Sequence, residues 1–431
     1  MTTAGRLGTA AHLGAGLAVL GAAGYVFVAV VGHVLHAPSQ AGSLSALISL
    51  YLLINIAGPG IFAALEQATS RAVSAAIARG EPVAPIARRT AVLASWSFVA
   101  LAVVVLAAWP LVLARVLDDQ VGLLAALLVA VAGSGAVYWI RGLLGGQQRF
   151  KVYARTLYVE GAVRLLPCLL LMVFAVASPT AYGLAFAIGS AVAALVVVPV
   201  LGLRRDGSSE APTERIGRSF AYLLGAIALS QLLANVGPVV VSYRLPEDLV
   251  RAGVFGTTFV LARIPLFLFA PVQAVLLPHV TRAATLGRHA ELVRRLRQAV
   301  ALVAVLGVLG ALACMLVGPW AAQVLFNTAA RPSAGILGLL GAATLVMMVA
   351  LVVQPTLIAL NRQRWVTGAW AAGTVVFLLL LAVPGDPITA AVIAQLAGPL
   401  VVLVLLAVGV VSALRTGVSG EPATSTATGG E

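Results

Sequence analysis

The sequence predicts an all-α polytopic membrane protein with about twelve transmembrane helices. Hydrophobic residues make up 61% of the chain and charged residues only 10%, which leaves too little polar surface to cover a soluble globule. The apolar residues occur in runs of roughly 20, the length of helix that crosses a bilayer core of about 30 Å. Long runs of Ala, Leu, Val and Gly also argue against a membrane β-barrel, whose strands alternate apolar and polar residues.

Each predicted helix is an apolar run that ends at prolines, glycines or charged residues. The first run is longer than the apolar core of an ordinary signal peptide, so we interpret it as the first spanning helix. Cys168 and Cys314 lie inside apolar runs and are expected in the core rather than in a disulfide or a metal site. The twelve predicted spans lie near Ala11–Val31, Ser43–Leu65, Thr90–Leu113, Val121–Leu144, Thr156–Ala177, Tyr182–Leu203, Phe220–Val241, Gly253–Leu277, Ala299–Val317, Gly335–Leu360, Val366–Val383 and Ile388–Leu414.

Arginines and lysines are concentrated in alternate loops, which predicts how the chain is oriented. Cytoplasmic loops carry an excess of these residues, so the basic loops are expected inside and the others outside. Both termini of this multi-pass protein are then cytoplasmic, in the inner or plasma membrane. The orientation of the chain in the membrane also explains its formal net charge of +13. Nucleic-acid binding is a poorer explanation, because the arginines are spread over several loops and form no single patch. The basic loops hold Arg79, Arg88 and Arg89; Arg149, Lys151 and Arg155; Arg204, Arg205, Arg215 and Arg218; Arg288, Arg294, Arg295 and Arg297; and Arg362 and Arg364.

A polar stretch near the midpoint divides the chain into two halves. Residues 204–219 are rich in Gly, Pro, Ser and charge, and predict a cytoplasmic linker between two six-helix lobes, residues 1–203 and 220–414. The tail, residues 415–431, is small and polar and is expected to be disordered. No loop is long enough for a folded extramembrane domain, so we expect the function to reside among the helices.

Two short motifs recur at nearly the same offset in the two halves. Arg71, in TSRAVSAAIARG of predicted helix 2, matches Arg282 in VTRAATLGRH of predicted helix 8. Arg149, in GQQRF at the end of predicted helix 4, matches Arg364 in NRQRW at the end of predicted helix 10. The matches are 211 and 215 positions apart, and each joins corresponding helices. The halves therefore form a parallel repeat, related by an axis along the membrane normal.

The predicted eighth helix places Arg263 in the middle of an apolar run that also contains Pro265, Pro271 and Pro278. An arginine at a helix centre costs about 2.5 to 3.5 kcal/mol on insertion scales, so it is expected to face a water-filled cavity or a partner. Prolines inside a membrane helix are tolerated where neighbours or cavity water satisfy the freed carbonyls. The stretch predicts a pathway through the bundle. The alternative is that Arg263 only bonds the carbonyls that the prolines free.

Several stretches together resemble a known transporter superfamily. They are GPGIFAALEQATSR in predicted helix 2, RIPLFLFAPVQAVLLPHVTRAA in predicted helix 8, and the helix ends GQQRF and NRQRW, in a six-plus-six layout. With these features the chain is similar to the multidrug/oligosaccharidyl-lipid/polysaccharide (MOP) exporter superfamily, and within it to the polysaccharide flippases. The resemblance implies two lobes that form a V around a central cavity and work by alternating access. It also implies a substrate, an oligosaccharide on a polyprenyl pyrophosphate, that is turned from the inner to the outer leaflet for cell-envelope polysaccharide export.

Arginines outnumber acids among the ionisable residues within or near the inner half of the predicted spans. The guanidinium fork binds phosphate oxygens through two hydrogen bonds and keeps its proton in a poor dielectric, so the excess charge suits a pyrophosphate. The ionisable residues that we expect to bind substrate in the cavity are Arg263, Arg164, Glu160, Arg141, Arg71 and Glu66.

Most of these residues also have a structural interpretation. Glu160 and Arg164 are four positions apart and can form an ordinary pair on one helix face. Arg141 and Arg71 lie near helix ends, where an arginine can reach lipid phosphates. Glu66 is either a proton or cation site or an ordinary carboxylate near the membrane surface.

Amide side chains within the spans are candidates for hydrogen bonds to sugar hydroxyls, with helix joining as the alternative. The GPG motif at 58–60 and Pro238, Pro355 and Pro399 are interpreted either as kinks for lobe bending or as local packing features. The candidate amides are Asn55, Asn235, Gln231, Gln273, Gln354 and Gln395.

The sequence favours a transporter over an enzyme. The first outer loop, HVLHAPSQAG, has no carboxylate of the kind expected in a membrane glycosyltransferase, and no loop suits a polymerase or ligase. His33 and His36 have no third ligand nearby, so we expect no metal and no cofactor. The alternatives are a multidrug or cation-coupled exporter of the same superfamily and a nontransporting scaffold for envelope biosynthesis. The expected partners are the lipid-linked oligosaccharide, membrane lipids, and polysaccharide polymerases or glycosyltransferases.

Overall fold

The described part of the chain folds almost entirely into α-helices. The computed structural model describes residues 3–201, 218–266, 289–360 and 362–418. The predicted linker, residues 204–219, and the predicted tail, residues 415–431, therefore lie largely outside the described residues. The described ranges contain the helices α1 (Thr3–Val34), α2 (Ala41–Ala57), α3 (Ala63–Arg79), α4 (Ala84–Ala107), α5 (Trp109–Val116), α6 (Val121–Gly146), α7 (Phe150–Val173), α8 (Pro179–Val197), α9 (Arg218–Arg244), α10 (Leu249–Leu261), α11 (His289–Leu316), α12 (Gly318–Phe326), α13 (Ala334–Ala359), α14 (Gln363–Leu381) and α15 (Pro387–Val418).

Twelve stretches of the described chain are long and apolar enough to cross a membrane, which confirms the predicted number. The second span, Ala41–Arg79, is longer than predicted because α2 and α3 run on through one π-helical turn, Gly58–Phe62. That turn contains the GPG motif, whose proline has no N–H to donate to the helix. The irregularity expected there is present, and the chain is a multi-pass, all-α membrane protein.

The helices of each half pack mainly on one another. In the first half α6 packs on α3 and α8, and α7 packs on α1 and α8. In the second half α13 packs on α11 and α15, and α14 packs on α9 and α15. Glycines let α3 and α6 approach closely: a Cβ on Gly146 would lie 2.5 Å from the Cβ of Val73. Small residues at a crossing permit such contacts, and each half is a bundle of six spans.

Short helices at matching places extend the internal repeat. α5 follows the third span of the first half and α12 follows the third span of the second, and each has a proline in its first turn. Those prolines, Pro110 and Pro319, are 209 positions apart. One predicted match needs correction, because Arg362 precedes α14 as Arg149 precedes α7. The structural counterpart of Arg149 is therefore Arg362 rather than Arg364, which lies two residues further along the same turn.

α10 ends at Leu261, earlier than the sequence predicts. Pro265 has no N–H to donate to the Leu261 carbonyl, and residues 262–263 form a turn before a short helical stretch at 264–266. Arg263 therefore lies in a break of the span and not in the middle of a continuous helix. Residues 267–288, which include Pro271, Pro278 and Arg282, lie outside the described residues.

The two halves meet along α2, α9 and α10, with a second contact between α1 and α12; we call this contact zone the seam. The basic end of the bundle is the one that carries Arg79, Arg149 and Arg362. At the opposite end, the Oγ atoms of Ser45 on α2 and Ser242 on α9 are 3.0 Å apart. Also at that end, a Cβ on Gly32 would overlap the carbonyl oxygen of Phe326. The seam is closed there.

A polar cluster at the opposite end ties α10 to the start of α15. Arg251 Nη2 lies 2.8 Å from Asp386 Oδ1, and the backbone N–H and hydroxyl of Thr389 donate to Asp386 Oδ2 at 2.9 and 2.7 Å. Burial alone would raise the pKa of the Asp386 carboxyl, but these hydrogen bonds and the Arg251 charge outweigh it and hold the pKa below its usual range. Asp386 therefore caps α15 as an ionised carboxylate at neutral pH.

Candidate functional site

Arg263 lies at the seam without a carboxylate partner in the described part of the chain. Its guanidinium carbon is 4.3 Å from the centre of the Phe259 ring, and it interacts electrostatically with Tyr25 and Tyr51. No described aspartate or glutamate lies within ion-pair distance of it. At 1.5 Å per residue, Arg263 is roughly 20 Å along the span from the start of α10, which is within the bilayer core. It is a half-buried cation whose charge no described acid neutralises.

The helix break at Arg263 is supported by a neighbouring span. Thr344 on α13 donates its hydroxyl to the carbonyl of Ala262 at 3.0 Å. The Arg263 guanidinium makes no hydrogen bond to a carbonyl of the described residues. The structural alternative, that Arg263 exists to satisfy carbonyls freed by prolines, therefore has no support among the described contacts.

Tyr51 lies near Arg263 and near a second arginine, Arg164 of α7. It interacts electrostatically with both, one in each half of the molecule. The Tyr51 ring packs edge-on against Phe186 with 5.8 Å between centres, and the Arg164 guanidinium carbon is 4.7 Å from the centre of the same Phe186 ring. Gly24 of α1 leaves room for this arrangement, because a Cβ there would lie 2.9 Å from the Tyr51 hydroxyl. Tyr51 is thus a neighbour of one cation of each half.

Arg164 belongs to a buried network centred on Glu160. The Glu160 Oε1 atom accepts hydrogen bonds from Arg164 Nη2 and Ser190 Oγ, both at 2.6 Å, and Oε2 pairs with Arg141 Nη2 at 2.5 Å. Arg141 Nε also donates to Thr156 Oγ1 at 2.9 Å. One carboxylate therefore serves two guanidiniums, and the pair expected between Glu160 and Arg164 on one helix face is present.

Arg141 and Glu160 are enclosed, whereas Arg164 keeps a free donor. The side chains of Arg141 and Glu160 are both 2% exposed, so in this conformation they support Arg164 rather than line an accessible surface. Arg164 is 13% exposed, and its Nε is buried without a hydrogen-bond partner. These three residues together carry one net positive charge. Their predicted role in substrate binding stays a prediction, with Arg164 the best placed of the three.

Glu66 lies where this network approaches the basic end. Its Oε1 accepts a hydrogen bond of 2.6 Å from the hydroxyl of Tyr153 on α7. The Tyr153 ring in turn lies 5.9 Å from the Arg141 guanidinium carbon. Glu66 is half-buried, and among the described residues no arginine or lysine is within ion-pair distance of it.

Two further predicted residues on the second span make local hydrogen bonds. Arg71 is exposed near the basic end of α3, and its Nε donates to the Gln67 carbonyl at 3.3 Å. This position is compatible with the alternative interpretation, in which Arg71 reaches lipid phosphates at the membrane surface. Asn55 is half-buried one turn after Tyr51, and its Nδ2 donates to the Tyr51 carbonyl at 2.8 Å.

The predicted amides of the second half also bond within their own bundle. Asn235 Nδ2 donates to the carbonyl and the Oε1 of Gln231 at 2.9 and 3.1 Å, on the same helix. Gln354 accepts a hydrogen bond of 2.7 Å from the Trp370 indole. Gln231 and Gln354 are half-buried, and Gln273 lies outside the described residues. Contact of these amides with a sugar stays a prediction.

A small pocket lies elsewhere, at the opposite end of the seam. Both halves contribute to its walls, which include Leu44, Val254 and Asn327 and contain no arginine, lysine or carboxylate. Nor do the described residues contain a group of three or more His, Cys, Asp or Glu side chains that could hold a metal ion.

Sequence reasoning missed the tyrosines of the site. Tyr25, Tyr51 and Tyr153 are uncharged and were not distinguished from ordinary apolar residues of the spans. A signal was available, because a tyrosine hydroxyl inside a bilayer core needs a polar partner. Each of the three has an electrostatic or hydrogen-bonded partner among the predicted charged residues.

Two six-span bundles that meet at a seam beside Arg263 define a polytopic, all-α membrane protein. Solved structures give this architecture a name, since the fold is that of MATE transporters of the MOP superfamily. An inward-facing multidrug resistance MATE transporter has a TM-score of 0.66 at 12% identity, over 94% of this chain and 95% of that one. Its outward-facing counterpart has a TM-score of 0.62 at 11% identity, over 95% and 96%. A MATE transporter of Vibrio cholerae has a TM-score of 0.59 at 16% identity, over 95% and 98%.

Sequence comparison adds relatives without an assigned function. No family model matches the chain. An uncharacterized protein of Mycobacterium bovis is 26% identical over 304 residues, which cover 69% of each chain. An uncharacterized protein of Mycobacterium tuberculosis is 28% identical over 290 residues, 65% of this chain and 64% of that protein. The predicted all-α, two-lobe fold is confirmed, and the polysaccharide flippase branch stays a prediction.

Proposed function

We propose that the chain is a transporter that turns a polyprenyl-pyrophosphate-linked oligosaccharide from the inner to the outer leaflet by alternating access. The observation that carries this proposal is Arg263, a half-buried cation at the seam that no described acid neutralises. The fold supports moving lobes, because structures with this fold are solved in inward-facing and in outward-facing conformations.

The charge at Arg263 indicates an anionic substrate. A guanidinium in the bilayer core is stable only beside an anion, polar groups or water. Arg263 has two tyrosines and a phenylalanine ring beside it, which leaves a full positive charge for a ligand to neutralise. Phosphate oxygens match the geometry of the guanidinium fork, and arginine stays charged at every physiological pH.

The second arginine indicates a ligand with two linked anionic groups. Arg164 has an unpartnered Nε and, like Arg263, is close enough to Tyr51 to act on it electrostatically. In the proposed complex, one phosphate of a pyrophosphate would face Arg263 and the other would face Arg164. The polyprenyl tail would stay in the bilayer while the head group crosses between the halves.

The closed end of the seam sets the order of events. The Ser45–Ser242 contact closes the seam at the end opposite to the basic loops, which are expected to be cytoplasmic. A head group would therefore enter from the basic end, bind near Arg263, and leave after the seam opens at the opposite end. Half-buried amides on both halves, such as Asn55 and Gln231, are available to sugar hydroxyls.

A multidrug exporter is the second candidate, and the solved neighbours favour it. They are described as multidrug resistance transporters, and Glu66 is a half-buried carboxylate that could attract a cation. The two candidates differ in the charge of the substrate. An organic cation would be repelled by Arg263 and Arg164, so removal of Arg263 would then increase transport or leave it unchanged.

The test compares Arg263→Ala with Arg251→Ala in cells that otherwise lack the protein. Arg251 is a matched control because it lies on the same span, in an exposed ion pair with Asp386. A charged hydrogen-bonded contact contributes about 1.5 to 3 kcal/mol, so we expect Arg263→Ala to reduce transport by about 10- to 150-fold. Transport by Arg263→Lys should lie between that of the wild type and that of Arg263→Ala, since lysine keeps the positive charge but lacks the guanidinium fork.

The readouts are surface glycan, polyprenyl-linked intermediates in lipid extracts, and protein abundance. The proposal expects the intermediate to accumulate in the Arg263→Ala strain at normal abundance, and not in the Arg251→Ala strain. Normal glycan export by Arg263→Ala at normal abundance would contradict it. Loss of resistance to organic cations in a deletion strain, with unchanged lipid intermediates, would favour the second candidate.

A further inference from the structure

The small pocket at the opposite end of the seam has a counterpart in the first half. The pocket is bounded by the start of α10, by the turn after α12, and by the stretch after α1 and the start of α2 from the other half. The corresponding place in the first half is bounded by the start of α2, by the turn after α5 and by α9 of the other half. The two places differ in what fills them.

Asp118 and Asn327 hold the same position in the two turns. They are 209 positions apart, which is also the offset of the prolines at the start of α5 and α12. Both residues have the left-handed backbone conformation, with φ of 53° and 49°, which Asp and Asn adopt more readily than most other residues. Gly42 of α2 and Gly253 of α10, beside these turns, are 211 positions apart. The repeat therefore includes both the turns and the glycines next to them.

In the first half, the turn fills the space beside the glycine. A Cβ on Gly42 would lie 2.7 Å from Asp118 Oδ1 and 2.8 Å from Asp118 Oδ2, so the carboxylate lies directly against α2. Ser43 Oγ donates a hydrogen bond of 3.4 Å to Asp118 Oδ2. In the second half, a Cβ on Gly253 would meet only Leu44 Cδ2 among the described residues, at 4.0 Å. The place that a polar side chain occupies beside α2 is an open pocket beside α10.

The walls of the pocket suit a neutral ligand with an apolar body. Leucines and valines of α2 and α10 make up much of the lining, which contains no arginine, lysine or carboxylate. Val254 stands where the first half has Ser43, so the hydroxyl that bonds the Asp118 carboxylate has no equivalent here. A charged ligand would lose hydration without gaining a countercharge, which disfavours its binding.

Two polar side chains of the turn after α12 can orient such a ligand. Thr328 Oγ1 is buried beside the pocket and has no hydrogen-bond partner among the described residues. The Asn327 side chain is half-buried in the pocket wall and makes no hydrogen bond within the described part of the chain. Together they offer one hydroxyl group on a ligand both a donor and an acceptor.

We propose that this pocket binds a small neutral molecule with an apolar body and one hydroxyl group, and that the bound molecule stabilises the closed end of the seam. Both halves contribute walls, so a ligand contacts all of them only while the end marked by the Ser45–Ser242 contact is closed. A ligand that binds one conformation better than another shifts the population toward it. In the proposed transport cycle this end must open, so an occupied pocket would slow transport; this last step alone rests on the proposed function.

The test measures binding of isobutanol to the purified full-length protein by saturation-transfer NMR. We expect saturable binding, with an affinity at least about tenfold higher than that of isobutyrate, which has a similar apolar body but carries a carboxylate. Gly253→Leu places a side chain in the pocket and should weaken isobutanol binding at least about tenfold. Gly368→Leu is the matched control, because Gly368 is an exposed glycine of α14 whose added Cβ would meet no described atom within 4 Å. It should bind isobutanol as the wild type does.

A cross-link across the seam tests the second part of the proposal. The protein with Ser45→Cys and Ser242→Cys should bind isobutanol at least as tightly in its disulfide form as after reduction, because the cross-linked form contains only the closed conformation. Weaker binding in the disulfide form would overturn the stabilising role of the ligand.

The binding measurements also decide the site and the class of ligand. Absence of saturable isobutanol binding to the wild type, or equal binding by Gly253→Leu and Gly368→Leu, would overturn the site. Isobutyrate that binds as tightly as isobutanol would overturn the ligand class. If Gly253→Leu fails to fold, Ala329→Phe fills the pocket from its exposed turn, and wild-type affinity in that variant would overturn the site. None of these measurements involves transport, so failure of the pocket and failure of the proposed function are distinguishable.

Discussion

Replacing Glu160 by alanine should destabilise the protein severely, because it leaves two guanidiniums inside the first bundle without their carboxylate. Glu160 accepts three hydrogen bonds, two of them from arginines, and such charged hydrogen bonds contribute about 1.5 to 3 kcal/mol each. Arg141 is 2% exposed, so water cannot replace the lost partner, while Arg164 at 13% has slight access. Breaking one buried pair costs about 3 to 5 kcal/mol, and we expect about 4 kcal/mol for Glu160→Ala.

The assay is the free energy of unfolding of the detergent-solubilised protein, with thermal stability and abundance measured alongside. Glu81→Ala is the control, since Glu81 pairs with Arg79 in an exposed position, and we expect it to match the wild type. The combined change Arg141→Met, Glu160→Leu and Arg164→Met should fold, because apolar residues of similar size can replace a buried ionic cluster at little cost. Wild-type stability for Glu160→Ala would refute the assignment of this cluster as a buried, mutually dependent network.

Three further predictions test other parts of the molecule. A disulfide between cysteines introduced by Ser45→Cys and Ser242→Cys should stop transport, and a reductant should restore it; full transport by the cross-linked protein would rule out opening at that end. Gly146→Ala should destabilise the α3–α6 contact by about 1 to 3 kcal/mol, while Gly368→Ala, which meets nothing within 4 Å, should be neutral or stabilising; equal effects would contradict the packing described. The Asp386 carboxyl has a lowered pKa, so its contribution to stability is present above the usual aspartate value of about 4 and is lost as pH falls through the lowered value. Asp386→Asn should therefore remove that part of the acid sensitivity of thermal unfolding. Unchanged acid sensitivity in this variant would contradict the role of Asp386 as an ionised cap.

The spans and their number could be predicted because a bilayer sets a simple requirement on length and hydrophobicity. The end of α10 could not be predicted as reliably, since Pro265 follows a run that remains apolar well past the actual break at Leu261. Composition reveals the apolar run, whereas the helix break depends on the backbone N–H that proline lacks. The same limit explains the length of the second span, where a π turn continues the helix instead of ending it.

The contacts of the candidate site were also only partly predictable from the sequence. The pair of Glu160 and Arg164 follows from a spacing of four on one helix and was predictable. The contact of Arg141 with Glu160 depends on how α6 and α7 are aligned, which no local pattern in the sequence contains. Tyr51 was missed for the same reason, because its proximity to both Arg164 and Arg263 depends on how their helices pack.

The most direct test of the account is translocation of a short polyprenyl-pyrophosphate-linked saccharide in proteoliposomes that contain the purified protein. Lipid that reaches the outer leaflet can be measured by its accessibility to a membrane-impermeant lectin or glycosidase. We predict that the wild type and Arg251→Ala accelerate translocation, and that the rate with Arg263→Ala is at least about tenfold lower and approaches that of protein-free vesicles. Equal translocation by Arg263→Ala, or wild-type vesicles that move an organic cation and leave the pyrophosphate lipid in place, would contradict it.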